Sequence, residues 1–347
     1  MSQGGLPRRR IRFSDRSGLD AWNTLVTFFN LVRTAVAAVL EPVNLSNDEL
    51  LVLISLAHSG GALSMGQIER STLLQAGRLR RAVDELERRR LVAWHRSRAD
   101  RRKVFVRIRK AGLQLVESLG PAMFELVRRV VEPLGQESTE FMRSKMRKML
   151  SGAAVDLEDV FTDRRYDGPL PVGPDVASDT RLRSAQRPLT WGLAGWLRCC
   201  QWSGHVDRIP RNKFRNLGLT APRLQVLAVL AGAAEGMTAD SIASASGLPQ
   251  VTLTSTLSAL QQAGLVTRSG DETQPRTGLL KLTARGEQKV LEALPLANTL
   301  VDDLYHGLSD EDLVRVLSLV PKLCSSAWEV RHHYGAAQSL TSAASAQ

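Results

Sequence analysis

The sequence predicts a mainly α fold with small β-hairpins, built from two copies of one domain. Three observations predict it. The chain aligns with itself at a constant offset that carries Trp22 onto Trp196, apolar residues recur at helical spacing through most of each copy, and one short stretch per copy alternates like a pair of strands. A length of 347 residues also exceeds the ~100–200 residues of a single domain.

The same offset pairs Leu53 with Leu227, Ile68 with Ile242, Leu86 with Leu260, Arg102 with Arg276, Gly112 with Gly286, Pro121 with Pro295 and Lys148 with Lys322, with no gap between them. In the first copy, Leu19 to Leu40 follows a helical apolar pattern. Ser46 with Glu49 three residues later is a capping box that opens a second helix. Ser64 caps a short helix ending near Ser71, and Gln75 to Arg90 returns to helical spacing through Leu79, Val83 and Leu86. Leu91 to His95 and Val104 to Ile108 alternate like strands around the charged tip Arg96 to Lys103. Two helices joined by a tight turn and followed by a hairpin form a winged helix-turn-helix. Beyond Gly112 an amphipathic stretch runs to Val131, and a last helix spans about Glu137 to Leu150.

The second copy repeats the order: a helix near Leu189 to Val206, helices from Thr220 and Thr238, Pro249 to Ala263 with Pro249 suited to the N1 position, strands around Leu265 and Leu279, and two long helices. Residues 152–188 are rich in Asp, Arg, Pro, Gly and Ser, with Pro169, Pro171 and Pro174 close together, as in a linker. The expected layout is a basic N-terminal arm (1–18), a first domain (19–150), a linker (151–188), a second domain (189–333) and a disordered tail (334–347). The long flanking helices are apolar on one face and need a partner surface, which in a duplicated chain is the other copy. The expectation is therefore a tandem winged-helix pseudo-dimer.

Apolar residues make up 43% and charged residues 23% of the chain, a globular balance. Three cysteines form no disulfide framework, and the odd thiol fits a reducing compartment, the cytoplasm. No apolar segment follows Arg8 to Arg10, and Asn30 and Arg33 interrupt the apolar run from Leu25 to Leu40, so neither secretion nor membrane spanning is expected. The net charge of +11 points to an anionic partner. Residues 1–150 hold 27 Lys+Arg against 15 Asp+Glu, and residues 151–347 hold 19 against 20, so the whole excess lies in the first half. From Arg70 to Lys110 there are 15 basic and 4 acidic residues, against 3 and 2 in the aligned window Ser244 to Ala284.

The run Val83-Asp84-x-Leu86-Glu87-x-x-x-Leu91-Val92, then Asp100-Arg101-Arg102-x-Val104-x-Val106-x-Ile108 and Gly112, resembles the MarR family of winged-helix transcription regulators. The second copy keeps Leu257-x-x-Leu260, Gly264-Leu265-Val266, Arg276, Leu280-x-Leu282-Thr283 and Gly286 but carries Gln274 in place of the wing Asp. The resemblance implies dimerisation through the first and last helices, here within one polypeptide. It also implies a sequence-specific regulator of the bacterial nucleoid, a repressor released by a small aromatic or phenolic effector.

In a helix-turn-helix the second helix enters the major groove and the wing reaches the backbone or minor groove. Gln75, Arg78, Arg80 and Arg81 fall on the first such helix, where arginine can bond guanine and glutamine adenine. Arg98, Arg101, Arg102 and Lys103 fall on the wing, with Asp100 orienting Arg102. The second lobe offers Gln250, Thr252, Thr254 and Ser255 on the helix and Arg276 on the wing, a weaker, less charged set. The bland reading of each arginine is a solvated helix face, and Arg88, Arg89 and Arg90 suit a helix C-terminus equally well.

A second function class remains open: a DNA-anchored interaction or sensor module in which only the first lobe binds DNA. A third is an architectural binder with a steep salt dependence and little discrimination. Cys199 and Cys200 sit in the first helix of the second copy, where the hydroperoxide-sensing branch of the family has its reactive cysteine; the plain alternative is two buried thiols. No phosphate-binding Gly loop, G-x-S-x-G or H-E-x-x-H occurs, and no metal site, cofactor or enzymatic activity is expected.

Overall fold

A computed structural model describes residues 17–59, 61–96, 104–152, 196, 200, 203, 213–269, 278–305 and 307–345. The first repeat runs α1 (Ser17–Leu40), α2 (Asn47–His58), β1 (Ala62–Ser64), α3 (Met65–Thr72), α4 (Ala76–Arg88), β2 (Val92–Arg96), β3 (Val104–Ile108), α5 (Lys110–Val131) and α6 (Gly135–Gly152). In the second, Trp196, Cys200 and Ser203 are helical, followed by α7 (Ala221–Ala231), α8 (Ala239–Ser246), α9 (Gln250–Gln262), β4 (Val266–Ser269), β5 (Leu279–Leu282), α10 (Ala284–Leu304) and α11 (Asp310–Ser345). The bounds of α8 and α9 are those of α3 and α4 carried forward by the offset that takes Trp22 to Trp196, so the repeat read in the sequence is also a repeat of the backbone.

The local causes are visible. Ser46 and Glu49 form the expected capping box, with the Glu49 amide donating to Ser46 Oγ at 3.3 Å and the Ser46 amide to Glu49 Oε2 at 2.9 Å. Ser64 and Gln67 form a second one on α3. Behind α4, β2 pairs antiparallel with β3, Val92 opposite Ile108, and places Val92, Val106 and Ile108 in the core under Leu53, Leu79, Val83 and Leu86.

Four features depart from the sequence reading. The strand β1 has no counterpart in it: β1 pairs with β3, Ala62 opposite Arg107, and completes a three-stranded sheet of order β1-β3-β2. In the second repeat the matching contact shrinks to a bridge between Met237 and Leu280. Pro249 stands at the N-cap of α9, one residue before N1, because its fixed φ of −59° serves either position and here ψ is extended at 143°. The last helix, α11, continues through residues 334–345 to Ser345, where Ala336, Ala337, Gln338, Leu340, Ala343 and Ala344 are good helix formers.

The described chain forms two compact units that do not follow chain order. One gathers α1 up to Leu31, Glu140–Met149 of α6 and the second repeat from its 3-10 turn at Arg215–Leu217 to Cys324; the other gathers α1 from Val32, the first repeat to Thr139, the helical residues Trp196, Cys200 and Ser203, and α11 from Ser325. In the first of these, the start of α1 is held by a buried polar network. Asn30 Nδ2 donates to Gln225 Oε1 and to Ser246 O, both at 3.2 Å, and Gln225 Nε2 donates to Thr27 Oγ1 at 3.2 Å and Ser246 O at 2.8 Å. Gly247, at φ +64°, lies so near α1 that a Cβ would stand 3.0 Å from Thr27 O. In the other unit Arg33 Nη2 donates to Ser203 Oγ at 2.6 Å. By length and hydropathy residues 18–43 could cross a membrane. Their apolar side chains, Trp22, Leu25, Phe29, Val32 and Val36 among them, are buried within the protein, and Asn30 and Arg33, which interrupt the apolar run, have protein partners.

Backbone geometry repeats more faithfully than side chains. Asn44, Leu73 and Arg90 have φ of 48°, 55° and 59°, and their counterparts in the second repeat are Gly218, Gly247 and Gly264 at 68°, 64° and 67°. Each position closes a helix or a 3-10 turn in the left-handed region, where a side chain costs roughly 1–2 kcal/mol.

Gly112 and Gly286 serve another purpose. A Cβ on Gly112 would stand 2.5 Å from Leu91 O, and one on Gly286 would come closer still to Leu265 O; both contacts are with backbone that cannot rotate away. Gly112→Ala and Gly286→Ala should therefore each lower unfolding free energy by about 1–3 kcal/mol in urea titrations. Gly77→Ala, at a helical glycine with nothing within 4 Å, should be neutral or raise it by about 0.5–1 kcal/mol.

Candidate nucleic-acid interface

Helix α4 begins after Gln75, an exposed N-cap whose side chain makes no cap bond, and its buried face is Leu79, Ala82, Val83 and Leu86. Helical spacing turns Arg78, Arg80 and Arg81 to the surface. The structure brings these four predicted residues together in the first turns of one helix. Arg78 Nε and Nη2 donate to Asp48 Oδ2 and Oδ1 at 2.8 and 2.6 Å. Arg80 Nε donates to Asp84 Oδ2 at 2.9 Å, and its guanidinium lies 5.1 Å from the centre of the Trp94 ring. Arg81 Nε reaches only the Gly77 carbonyl, at 3.2 Å. Asp48, at the start of α2, is a participant the sequence reading missed. It lies 30 residues from its partner, and no local spacing signals the pair. An open cleft of about 730 Å3 between α2 and α4 is lined by Asp48, Arg78, Arg81, Glu85 and Arg88 among others.

Not every arginine there is available. Arg88 bonds Glu85 through both Nε and Nη2, which holds the Glu85 carboxyl below the usual carboxylate range. Arg89 donates to the carbonyls of Val43 and Asn44 and so closes the turn before α2. On α5, hydrogen bonds from Arg128 and Arg129 pull the Glu125 carboxyl down to about 2, so these cations too are engaged along their own helix.

Helix α9 presents the aligned surface with different chemistry. Gln250, Thr254 and Ser255 are exposed and Thr252 half-buried, while Leu253, Thr256, Leu257 and Leu260 face the core. Thr254 Oγ1 donates to Gln250 O at 2.9 Å and Ser255 Oγ to Thr252 O at 3.0 Å, bonds that turn both hydroxyls back on the helix. Val251 is 83% exposed. The wing residues Arg98, Asp100, Arg101, Arg102, Lys103 and Arg276 lie outside the described residues, as does Cys199.

Of the flanking aromatic residues, Trp22, Phe28, Phe29 and Trp196 are buried and belong to the core. No group of three or more His, Cys, Asp or Glu positioned to hold a metal occurs among the described residues. Cys200 is half-buried and stands outside any disulfide. Cys324, which the sequence reading did not single out, donates through Sγ to Thr24 O at 3.4 Å, and burial pushes its thiol up to about 12. At pH 8 Cys324 should therefore stay unmodified by iodoacetamide in the folded protein and react once urea exposes it, as peptide mapping by mass spectrometry would record. Because its pKa is raised on folding, its contribution to stability is complete below the unfolded thiol's pKa and is lost as pH rises from about 9 toward 12.

A family model described as the MarR family matches residues 43–103 and 217–276. The two matches begin at equivalent positions of the two repeats, and the first runs from the turn before α2 into the wing. Among solved structures the chain is similar to a MarR-family transcriptional regulator from Silicibacter pomeroyi, at 24% identity over 38% of this chain and 87% of that one, with a TM-score of 0.32. It is also similar to CouR from Rhodococcus jostii RHA1 in complex with p-coumaroyl-CoA, at 21% identity over 38% and 91% of the two chains and a TM-score of 0.34. A third is a structure of MarR, at 21% identity over 39% and 96%, with a TM-score of 0.34. The helix-turn-helix and strand pair occurs twice, and the family matches fall on both copies, so the chain carries two MarR-like winged-helix domains.

Proposed function

We propose that the protein is an asymmetric, sequence-specific DNA-binding repressor, folded as an intramolecular pseudo-dimer, whose first repeat anchors the duplex and whose second reads a weaker half-site. The observation that carries this reading is the contrast between two equivalent helices: α4 exposes Arg78, Arg80 and Arg81 where α9 exposes Thr254, Ser255 and the partly covered Thr252. Arginine supplies long-range attraction to phosphates and bidentate bonds to guanine. Hydroxyls supply only short contacts once DNA is in place. In this proposal the wing cations Arg98, Arg101, Arg102 and Lys103 add to the positive charge of the first repeat, and Asp100 serves to orient Arg102. The pseudo-dimer is supported by the division of α1 and α11, each of which gives residues to both compact units.

Release by a small anion is the second part of the proposal. Within one unit, a cavity of about 560 Å3 is lined by Ala37, Ala38 and Leu45 with Thr34, Asn44 and Arg331 at its polar edge, and Glu41 beside them. An apolar floor with one guanidinium suits a planar aromatic acid or phenolate, whose charge Arg331 would bind. Glu41 would disfavour a second negative charge on the ligand.

The neutral surface of α9 favours one alternative, a sensor or partner-docking module that holds DNA through its first repeat alone. Selection from random duplexes at fixed salt, followed by sequencing, separates the two. A motif with one sharp and one degenerate half is expected from the repressor, and a single half-site from the alternative. On the selected duplex, Arg78→Ala should weaken binding at least tenfold and Thr252→Ala less than threefold in fluorescence anisotropy, orders of magnitude set by one bidentate base contact. Equal losses would contradict the asymmetry. Aromatic acids should release DNA from the parent protein, and Arg331→Gln should lose that response while retaining DNA affinity.

A further inference from the structure

Arg78 is the half-exposed partner in its pair with Asp48, with 49% of its side chain accessible against 21% for Asp48. Its guanidinium makes no other hydrogen bond or ion pair among the described residues. An arginine carries five N–H donors in a planar fork. The bonds to Asp48 use the Nε hydrogen and one Nη2 hydrogen. What remains is the end edge, formed by the second Nη2 hydrogen and one Nη1 hydrogen, with the other Nη1 hydrogen turned toward Cδ. Two parallel donors on that edge match O6 and N7 of guanine, the pair of acceptors that only guanine offers in the major groove.

The carboxylate has a poor alternative explanation as a stabilising ion pair, since exposed pairs contribute little to folding. It also carries an electrostatic penalty for any helix that must approach phosphates. Its distinctive effect is orientational. A free arginine loses rotamer freedom when it binds, whereas one held in two bonds to a carboxylate has lost that freedom beforehand and presents its remaining donors in a fixed plane. The second repeat has neither member of the pair: the equivalent positions are Pro222 and Thr252.

Resting on the DNA-binding reading above, we infer that Asp48 is a positioning residue that holds Arg78 by one edge of its guanidinium and aims the other at a single guanine, making the first repeat's base discrimination depend on a side chain of α2. Lysine cannot replace Arg78 in this role, having no second edge.

The test uses the full-length protein and the duplex recovered by selection, with each guanine of the first half replaced in turn by 7-deazaguanine, which lacks only the N7 acceptor. The parent protein should lose about tenfold in affinity at one guanine. In Asp48→Asn that penalty should fall below about threefold, while affinity for unrelated duplex stays equal or rises and the salt slope is unchanged, because no phosphate contact is removed. In an Arg78→Lys background, Asp48→Asn should have no further effect on discrimination, which separates action through Arg78 from a loss of folding. The inference is overturned if Asp48→Asn keeps the full 7-deazaguanine penalty, if it weakens all duplexes equally, or if the parent protein selects a motif yet is indifferent to 7-deazaguanine at every position. A parent protein that binds no duplex would overturn the DNA-binding reading along with it.

Discussion

The amide pair of Asn30 and Gln225 is the contact on which the rest of the second-repeat unit depends. Buried amides are tolerated only when their donors and acceptors are matched, and leaving one unmatched costs roughly 1–3 kcal/mol. Here the match joins α1, at the start of the chain, to α7 and to the end of α8 immediately before the turn into α9. The residues of the other repeat at these positions are Gly204 for Asn30 and Leu51 for Gln225, so the same network cannot form with the repeats interchanged. Apolar packing alone would accept either of two similar helices against either of two similar cores. The polar contact makes the choice between them, and it sets the position of the turn that presents α9.

Each winged helix was legible because its information is local. Capping boxes, helical spacing and the strand alternation each lie within a few positions of one another, and setting the two copies side by side reinforced the helical spacing and the strand alternation. What stayed hidden is non-local. The three residues of β1 have no pattern of their own and are strand only because β3 offers its edge. The one-residue displacement of Pro249 reflects a ring that fits two adjacent positions at a helix start. Within the interface, the sequence placed Gln75, Arg78, Arg80 and Arg81 on one surface but could not show which of them other side chains hold. Asp48 comes to Arg78 through the packing of α2 on α4, and Trp94 comes to Arg80 through β2.

The balance of charge takes on a different meaning once its pairing is known. Along α4, Arg88 and Arg89 are engaged by Glu85 and by the carbonyls of Val43 and Asn44, and Arg80 is held between Asp84 and an indole ring. A count of basic residues overstates the cations ready to meet an anion without rearrangement, and Arg81 comes nearest to that condition among the exposed arginines of the first turns. Affinity and discrimination can then be divided between side chains of one type, the loosely held ones acting through charge and the clamped ones through geometry.

The left-handed positions shared by the two repeats carry a thermal consequence. At Asn44, Leu73 and Arg90 the first repeat holds a steric cost in its folded state, while at Gly218, Gly247 and Gly264 the second avoids that cost but confers extra freedom on its unfolded chain. The steric part is largely enthalpic and changes little on heating; the entropic part enters as a product with temperature and grows. One backbone trace has thus been given two temperature coefficients, and warming should shift the balance of turn stability toward the repeat that carries the arginine-rich helix.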